Sequence, residues 1–311
     1  MALPNIIQKF IDLSIKESKS VKNIEFTGSH ATATLGTGET LTREMVDNTA
    51  AAHNGVYRGK NLTGIYTLDQ LSAKVQANDW SDLYIGDSIE VPMTSTRGGA
   101  ETVRWLFAGF DWYMNVGDTP FNQHHIVMVP ENCFKDNAQM NSTNTTEGAY
   151  KGSAMYQSVL PDYAAALKAS GSFGSHVATY RAILTKTMTS TVASGAGADW
   201  KGASTDWEWT DTDIRLMTEV EVYGSRVFSS AFYDVGIGNR QLPLFQLAPQ
   251  HFVCGAGLNK SAGDRWTWWL SAVTSAMDFA GVDSRGLAGT NGASNGGASG
   301  ARGVRPLFLF I

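Results

Sequence analysis

The sequence is short of charge, of cysteine and of long apolar runs, and each shortage removes a class of function. Charged residues fill 17% of 311 positions, and 24 Lys and Arg against 29 Asp and Glu leave a formal charge of −5. No basic run is present that could follow a phosphate backbone, so nucleic acid is not an expected partner. The two cysteines, Cys133 and Cys254, stand far apart, with no second Cys or His at metal-ligand spacing. That pattern suggests neither a disulfide framework nor a zinc site, and it reads as two buried thiols. No metal or cofactor is expected. No apolar stretch approaches bilayer length, and the start Met1-Ala2-Leu3-Pro4 lacks the basic and apolar regions of a secretory signal. Synthesis and folding in the cytoplasm, without membrane insertion, are the expectation.

What the sequence has is apolar bulk, glycine and aromatics. Hydrophobic residues make up 43%, which excludes disorder of the whole, and 32 Gly, 9 Trp and 10 Tyr accompany many Ser, Thr and Asn. This balance predicts short strands, tight turns and long ordered loops rather than helices, and with the few helices read below the fold class expected is α+β.

At the start, Leu3, Ile6, Ile7, Phe10, Ile11 and Ser14 fall on one stripe after Pro4, which predicts a short amphipathic helix. Its face, Ile6, Ile7, Phe10 and Ile11, either packs on its own domain or serves assembly. From Thr27 to Asn54 the composition is that of a linker or a set of short turns, with a possible helix over Leu41 to Ala52. Residues 1–55 are therefore set apart as a helix and linker, and 56–311 as the main domain. Thr67-Leu68-Asp69-Gln70 has the capping-box form of a helix start. Strands are expected over Leu83–Val91, Val103–Phe110, His125–Val129, Val177–Leu184 and Ile214–Val222, and a helix over Pro161–Lys168 ending before Gly171.

The C-terminal part is the most legible. Trp266-Thr267-Trp268-Trp269-Leu270 alternates as a strand with at least one buried face, Asp278 to Val282 is the next, and Asp283-Ser284-Arg285-Gly286 is a tight turn. From Gly286 to Gly303 seven glycines mix with small polar residues, which predicts a long surface loop and not a strand pair. Val304 to Ile311 then reads as a buried terminal strand with Pro306 at its beginning.

A set of blocks carries a resemblance over about Val56 to Ile311. They include Val56-Tyr57-Arg58-Gly59-Lys60, Asp82-Leu83-Tyr84-Ile85-Gly86-Asp87, Ala108-Gly109-Phe110-Asp111-Trp112-Tyr113, His124-His125-Ile126-Val127, Met140-Asn141-Ser142, Arg215-Leu216-Met217-Thr218, Gln241-Leu242-Pro243, Trp268-Trp269-Leu270 and Gly303-Val304-Arg305-Pro306. In this order they resemble virion structural proteins of phages and prophages of Gram-positive bacteria that end in a formylglycine-generating-enzyme-like, C-type-lectin-like domain. The resemblance implies a non-enzymatic protein of the virion surface, made in the bacterial host cytoplasm, as a head fibre, capsid decoration or tail adhesin. Its implied partners are other virion proteins, further copies of itself with a trimer as one arrangement, and a bacterial surface glycan or protein. The oxidase chemistry of that fold needs paired cysteines late in the chain, where only Cys254 lies, so catalysis is not carried over.

His124 and His125 point to opposite faces of a strand and lack ligand partners at useful spacing. Asp206, Glu208, Asp211 and Asp213 around Trp207 keep a glycan hydrolase open as an alternative, although solvation of a surface explains them more simply. The tryptophans Trp266, Trp268 and Trp269 read first as core, with Trp269 also a candidate for stacking on a sugar. The binding candidates are Asp283, Ser284, Arg285, Asn291, Ser294 and Asn295, because an ordered polar loop between buried strands can vary without harming a core.

Overall fold

The computed structural model describes residues 21–27, 30–188, 204–228, 240–255, 264–275, 277–288, 296–297 and 300–311. The assembly stripe Ile6, Ile7, Phe10 and Ile11 lies outside them. The described chain is mixed α+β, mostly strands in several small sheets, with few helices.

The stretch read as linker, from Thr27 to Asn54, holds two strands of a small antiparallel sheet whose first strand precedes it: β1 (Val21–Thr27), β2 (His30–Leu35) and β3 (Thr40–Glu44), in the order β1-β2-β3. The alternation in His-Ala-Thr-Ala-Thr-Leu explains it. Ala31, Ala33 and Leu35 are buried on one face, and β-branched Thr32 and Thr34 hold the pleat on the other. The helix expected over Leu41–Ala52 is therefore a strand, β3, followed by a single helical turn, α1 (Ala50–His53), capped by the Thr49 hydroxyl. This turn is tied to the main body: the Asn54 amide bonds the Phe110 backbone in both directions, at 2.8 and 2.7 Å.

The helix at the capping box forms as expected, α2 (Leu68–Gln76), with both reciprocal bonds of Thr67 and Gln70 present. Next come β4 (Ser88–Ser95), β5 (Gly99–Phe110) and β6 (Ile126–Pro130). The strand expected from Leu83 starts later because Asp82 and Gly86 both adopt positive φ, 61° and 80°, which no strand accommodates. After β7 (Asn137–Ala138) the chain forms α3 (Ala149–Gly152), one π-helical turn, and α4 (Leu160–Lys168), the helix expected from Pro161. A long hairpin follows, β8 (Tyr180–Met188) with β9 (Ser204–Thr212).

The strand expected over Ile214–Val222 is a correction. Only β10 (Ile214–Leu216) is extended, and α5 (Glu219–Tyr223) begins at once. Its start, Thr218-Glu219-Val220-Glu221, is a second capping box, with Glu221 reaching back to the Thr218 amide at 2.9 Å. Gly224, at φ 78°, ends it. Then come α6 (Pro243–Leu247), β11 (Cys254–Gly255), β12 (Arg265–Trp266), β13 (Trp268–Val273), β14 (Asp278–Val282), β15 (Gly296–Gly297), β16 (Arg302–Gly303) and β17 (Pro306–Phe310). Trp266 thus belongs to a separate ladder with β11 and not to the strand of Trp268.

Two five-stranded sheets carry the core. The first, β10-β17-β6-β5-β4, is antiparallel throughout and has the last strand of the chain near its centre, every residue of β17 buried. Pro306 opens that strand, where its missing N–H costs no ladder bond. The second sheet is β15-β14-β13-β16-β7, with β13 and β16 parallel. Parts of the glycine-rich stretch therefore do join a sheet, β15 beside β14 and β16 between β13 and β7, but not each other. Since β10 pairs with β17, residues 217–305 form one excursion that leaves the first sheet and returns beside its point of departure. No helix among the described residues is long and apolar enough to cross a membrane.

Candidate functional site

The turn after β14 is the described part of the expected binding region, and one carboxylate organises it. Asp283 is buried, and its Oδ1 accepts the Arg285 and Leu287 amides at 2.8 and 2.9 Å. Its Oδ2 accepts the Arg285 side chain, from Nε at 2.8 Å and Nη2 at 2.6 Å. Burial alone would raise its pKa, but these amides and the guanidinium outweigh burial and hold the carboxyl below its usual range. The main chain closes the turn, Gly286 N–H donating to Asp283 O at 3.0 Å, and Gly286 has the positive φ of 87° that the sequence predicts. A side chain there would also meet Phe252, its Cβ 2.9 Å away. Tyr223 donates to Gly286 O at 3.1 Å and fixes the turn from beneath.

This arrangement orients one cation without burying it. The Arg285 side chain is 70% exposed, yet two of its three nitrogens are held by Asp283, so the remaining edge of the guanidinium faces outward in a fixed direction. Leu287 beside it is 54% exposed and Ser284 is half-buried. A fixed donor edge next to a small apolar surface suits a polar ligand such as a sugar, whose hydroxyls accept while its ring carbons rest on an apolar side chain. Asn291, Ser294 and Asn295, the other loop candidates, lie outside the described residues.

Trp269 is placed elsewhere than a stacking platform would require. It is fully buried, its indole N–H donates to Ala138 O at 2.8 Å, and the Arg302 guanidinium lies 5.1 Å from its ring centre. Trp268 is buried on the opposite face of the same strand. Both faces of β13 are therefore interior.

Of the carboxylates around Trp207, Asp206, Glu208 and Asp211 sit on the β8–β9 ribbon and Asp213 follows its end, each beside a cation. Lys186 reaches Asp206 at 3.2 Å and Glu208 at 3.7 Å, Lys151 also pairs with Glu208, Arg181 reaches Asp211 at 3.4 Å, and Lys168 reaches Asp213 at 2.5 Å. The Trp207 amide and Lys186 hold Asp206 below its usual range, the opposite of what a glycosidase asks of its general acid. The adjacent histidines have separate tasks. His124 pairs with Asp111 at 2.7 Å, while buried His125 accepts the Tyr113 amide on Nε2 at 3.1 Å and donates from Nδ1 to Gln123 O at 2.9 Å. These bonds require the neutral ring, and burial lowers its pKa to about 4.

Three clusters escaped the sequence reading. Arg58 joins two of the quoted blocks by donating two hydrogen bonds to the Asp87 carboxylate, at 3.0 and 2.7 Å, and one to Asp82 at 2.5 Å. Arg215 and Glu221 form a buried pair at 2.8 and 2.5 Å, with Tyr113 donating to Glu221 at 2.6 Å. The capping-box spacing of Thr218 and Glu221 was the signal that could have revealed the second. Cys133 and Cys254, distant in sequence, are brought together where the Cys133 amide and the Cys254 thiol both donate to Gly255 O, at 3.2 and 3.3 Å, which no spacing rule shows.

Comparison with models of protein families, with curated proteins and with solved structures finds no match to this chain.

Proposed function

We propose that this chain is a non-enzymatic surface protein of a bacteriophage particle that displays a C-type-lectin-like domain toward the bacterial host. The observation that carries the reading is the excursion 217–305. A long segment leaves a buried sheet and returns beside its own start, supplying four of the five strands of a second sheet on the way, and the turn organised by Asp283 stands at the start of its polar glycine-rich sequence. That is the architecture of a loop free to vary on a scaffold that does not. The sequence blocks in order support the same assignment, and residues 1 to about 26 are its virion anchor or self-association element, with other virion proteins and sibling copies as partners.

The test has two arms. Peptides of this chain should be found in purified particles by mass spectrometry, and labelled antibody should decorate intact ones. The purified chain should bind host cells or their isolated wall glycans saturably, and Arg285→Ala should weaken that binding on the order of tenfold while leaving the melting temperature within a few degrees. Absence of the chain from particles overturns the virion assignment. Binding equal in Arg285→Ala and wild type removes the turn from the site.

A further inference from the structure

The two cysteines of this chain lie in a setting that no part of the proposed display function uses. Cys133 follows β6 of the first sheet, and Cys254 forms β11, which leads toward the second. The Cys133 amide donates to Gly255 O at 3.2 Å, and the Gly255 amide donates to the Asn132 side chain at 3.0 Å, so the two backbones run in contact. Cys133 is 3% exposed and Cys254 0%. The site is closed by Gly303, where a Cβ would stand 2.4 Å from the Cys133 sulfur.

Arg305 supplies the electrostatics. It is fully buried, donating to Pro130 O at 2.9 Å and His251 O at 2.7 Å, and its second terminal nitrogen has no hydrogen-bond partner among the described residues. A buried cation satisfied by main-chain oxygens favours an anion nearby. Burial disfavours the Cys254 thiolate, but the neighbouring Cys133 thiol and Arg305 outweigh burial and lower its pKa, whereas burial and the neighbouring thiol push Cys133 up.

We infer that Cys133 and Cys254 are a redox-closable pair, oxidised to an intramolecular disulfide by a low-molecular-weight disulfide such as oxidised glutathione. The Cys254 thiolate attacks one sulfur of the oxidant and releases one glutathione thiolate, giving a mixed disulfide. Cys133, losing its proton, attacks the Cys254 sulfur and releases the second. One sulfur–sulfur bond forms and one breaks; the protein loses two electrons and two protons, and two glutathione thiols are formed. Access comes through local opening of the β11–β12 ladder, which has only two residue pairs. The bond would tie the end of β6 to the approach to β13, joining the two sheets covalently in an oxidising exterior.

The experiment is oxidation of the full chain with oxidised glutathione, followed by alkylation in denaturant, mass spectrometry and peptide mapping. Wild type should lose two hydrogens, resist alkylation and yield one cross-linked Cys133–Cys254 peptide. Its melting temperature should rise by about 5 °C over the reduced form, because a long loop is closed. Cys133→Ser should stop at one glutathione adduct on Cys254. Wild type needs no variant to fold, so it decides the matter alone: two alkylatable thiols after prolonged oxidation, or only glutathione adducts and intermolecular bonds, overturn the inference.

Discussion

Two ion-pair systems, one beyond the end of the β8–β9 ribbon and one on it, are built from the same charges in opposite surroundings. Arg215 and Glu221 are 3% and 1% exposed, share two short bonds, and have Tyr113 as a third member; Tyr150 caps the adjoining Leu216 amide at 2.8 Å. Lys186 and Asp206 are 39% and 54% exposed and meet at 3.2 Å in water. The first pair determines where β10 stops and α5 starts, because Glu221 is at once the partner of a buried arginine and the closing residue of a capping box. The second pair sets nothing comparable. What differs is desolvation: taking the charges from water makes their mutual geometry compulsory, while on the ribbon water substitutes for either partner.

The largest effect should come from breaking the buried pair. Glu221→Gln keeps the size and the acceptor for Tyr113 but leaves Arg215 charged in an apolar interior, so a loss of about 3–5 kcal/mol is expected in urea unfolding. The double variant Arg215→Met with Glu221→Leu should cost less than Glu221→Gln alone, since no orphan charge remains. If the single variant costs under about 1 kcal/mol, the pair is not the organiser of this junction.

Acid should break the same interior next. Both relevant groups have folded pKa values below their unfolded ones: Glu221, where burial is outweighed by Arg215, and His125, lowered by burial from 6.5 to about 4. A depressed group contributes stability above its unfolded pKa and loses it as pH falls toward the folded one. His125 should therefore cost on the order of 3 kcal/mol as pH drops from 6.5 to about 4, with Glu221 adding its share below the ordinary carboxylate range. His125→Gln should flatten the upper part of that window in melts taken across pH. An unchanged profile would mean that the imidazole does not resist protonation.

The same contrast explains what could be read from sequence. The terminal strand, the helix at Pro161, the β13–β14 pair and the Asp283 turn were legible because local pattern and environment agree there: alternation, a proline at a permitted position, an Asp and a Gly at the two positions a turn requires. The Thr-rich sheet was missed because glycine and threonine composition was weighed above the alternation of His30 to Leu35. The helix at Glu219 was missed because valines at 220 and 222 imitate a strand, and the decisive bond is made by Glu221 to an arginine six positions back. Of the candidate site, the Asp283 frame was foreseeable as a turn, but not the capture of Arg285 by its carboxylate; Trp269 was legible as core, and its bond to Ala138 O in β7 removes the alternative of an exposed stacking ring.

The smallest effect belongs to the ribbon, and it sharpens the comparison by its sign as well as its size. Lys186→Ala removes the partner of both Asp206 and Glu208, but Lys151 still serves Glu208 and water serves Asp206. The melting temperature should move by no more than about 1 °C at low salt, and the difference between variant and wild type should vanish at about 1 M salt, where the Debye length is roughly 3 Å. Glu221→Gln, measured in the same two salts, should keep its deficit because ions do not screen a buried charge. A Lys186→Ala loss that persists in high salt would show that the ribbon pair is packed and not solvated, and the distinction drawn between the two systems would fail at its exposed end.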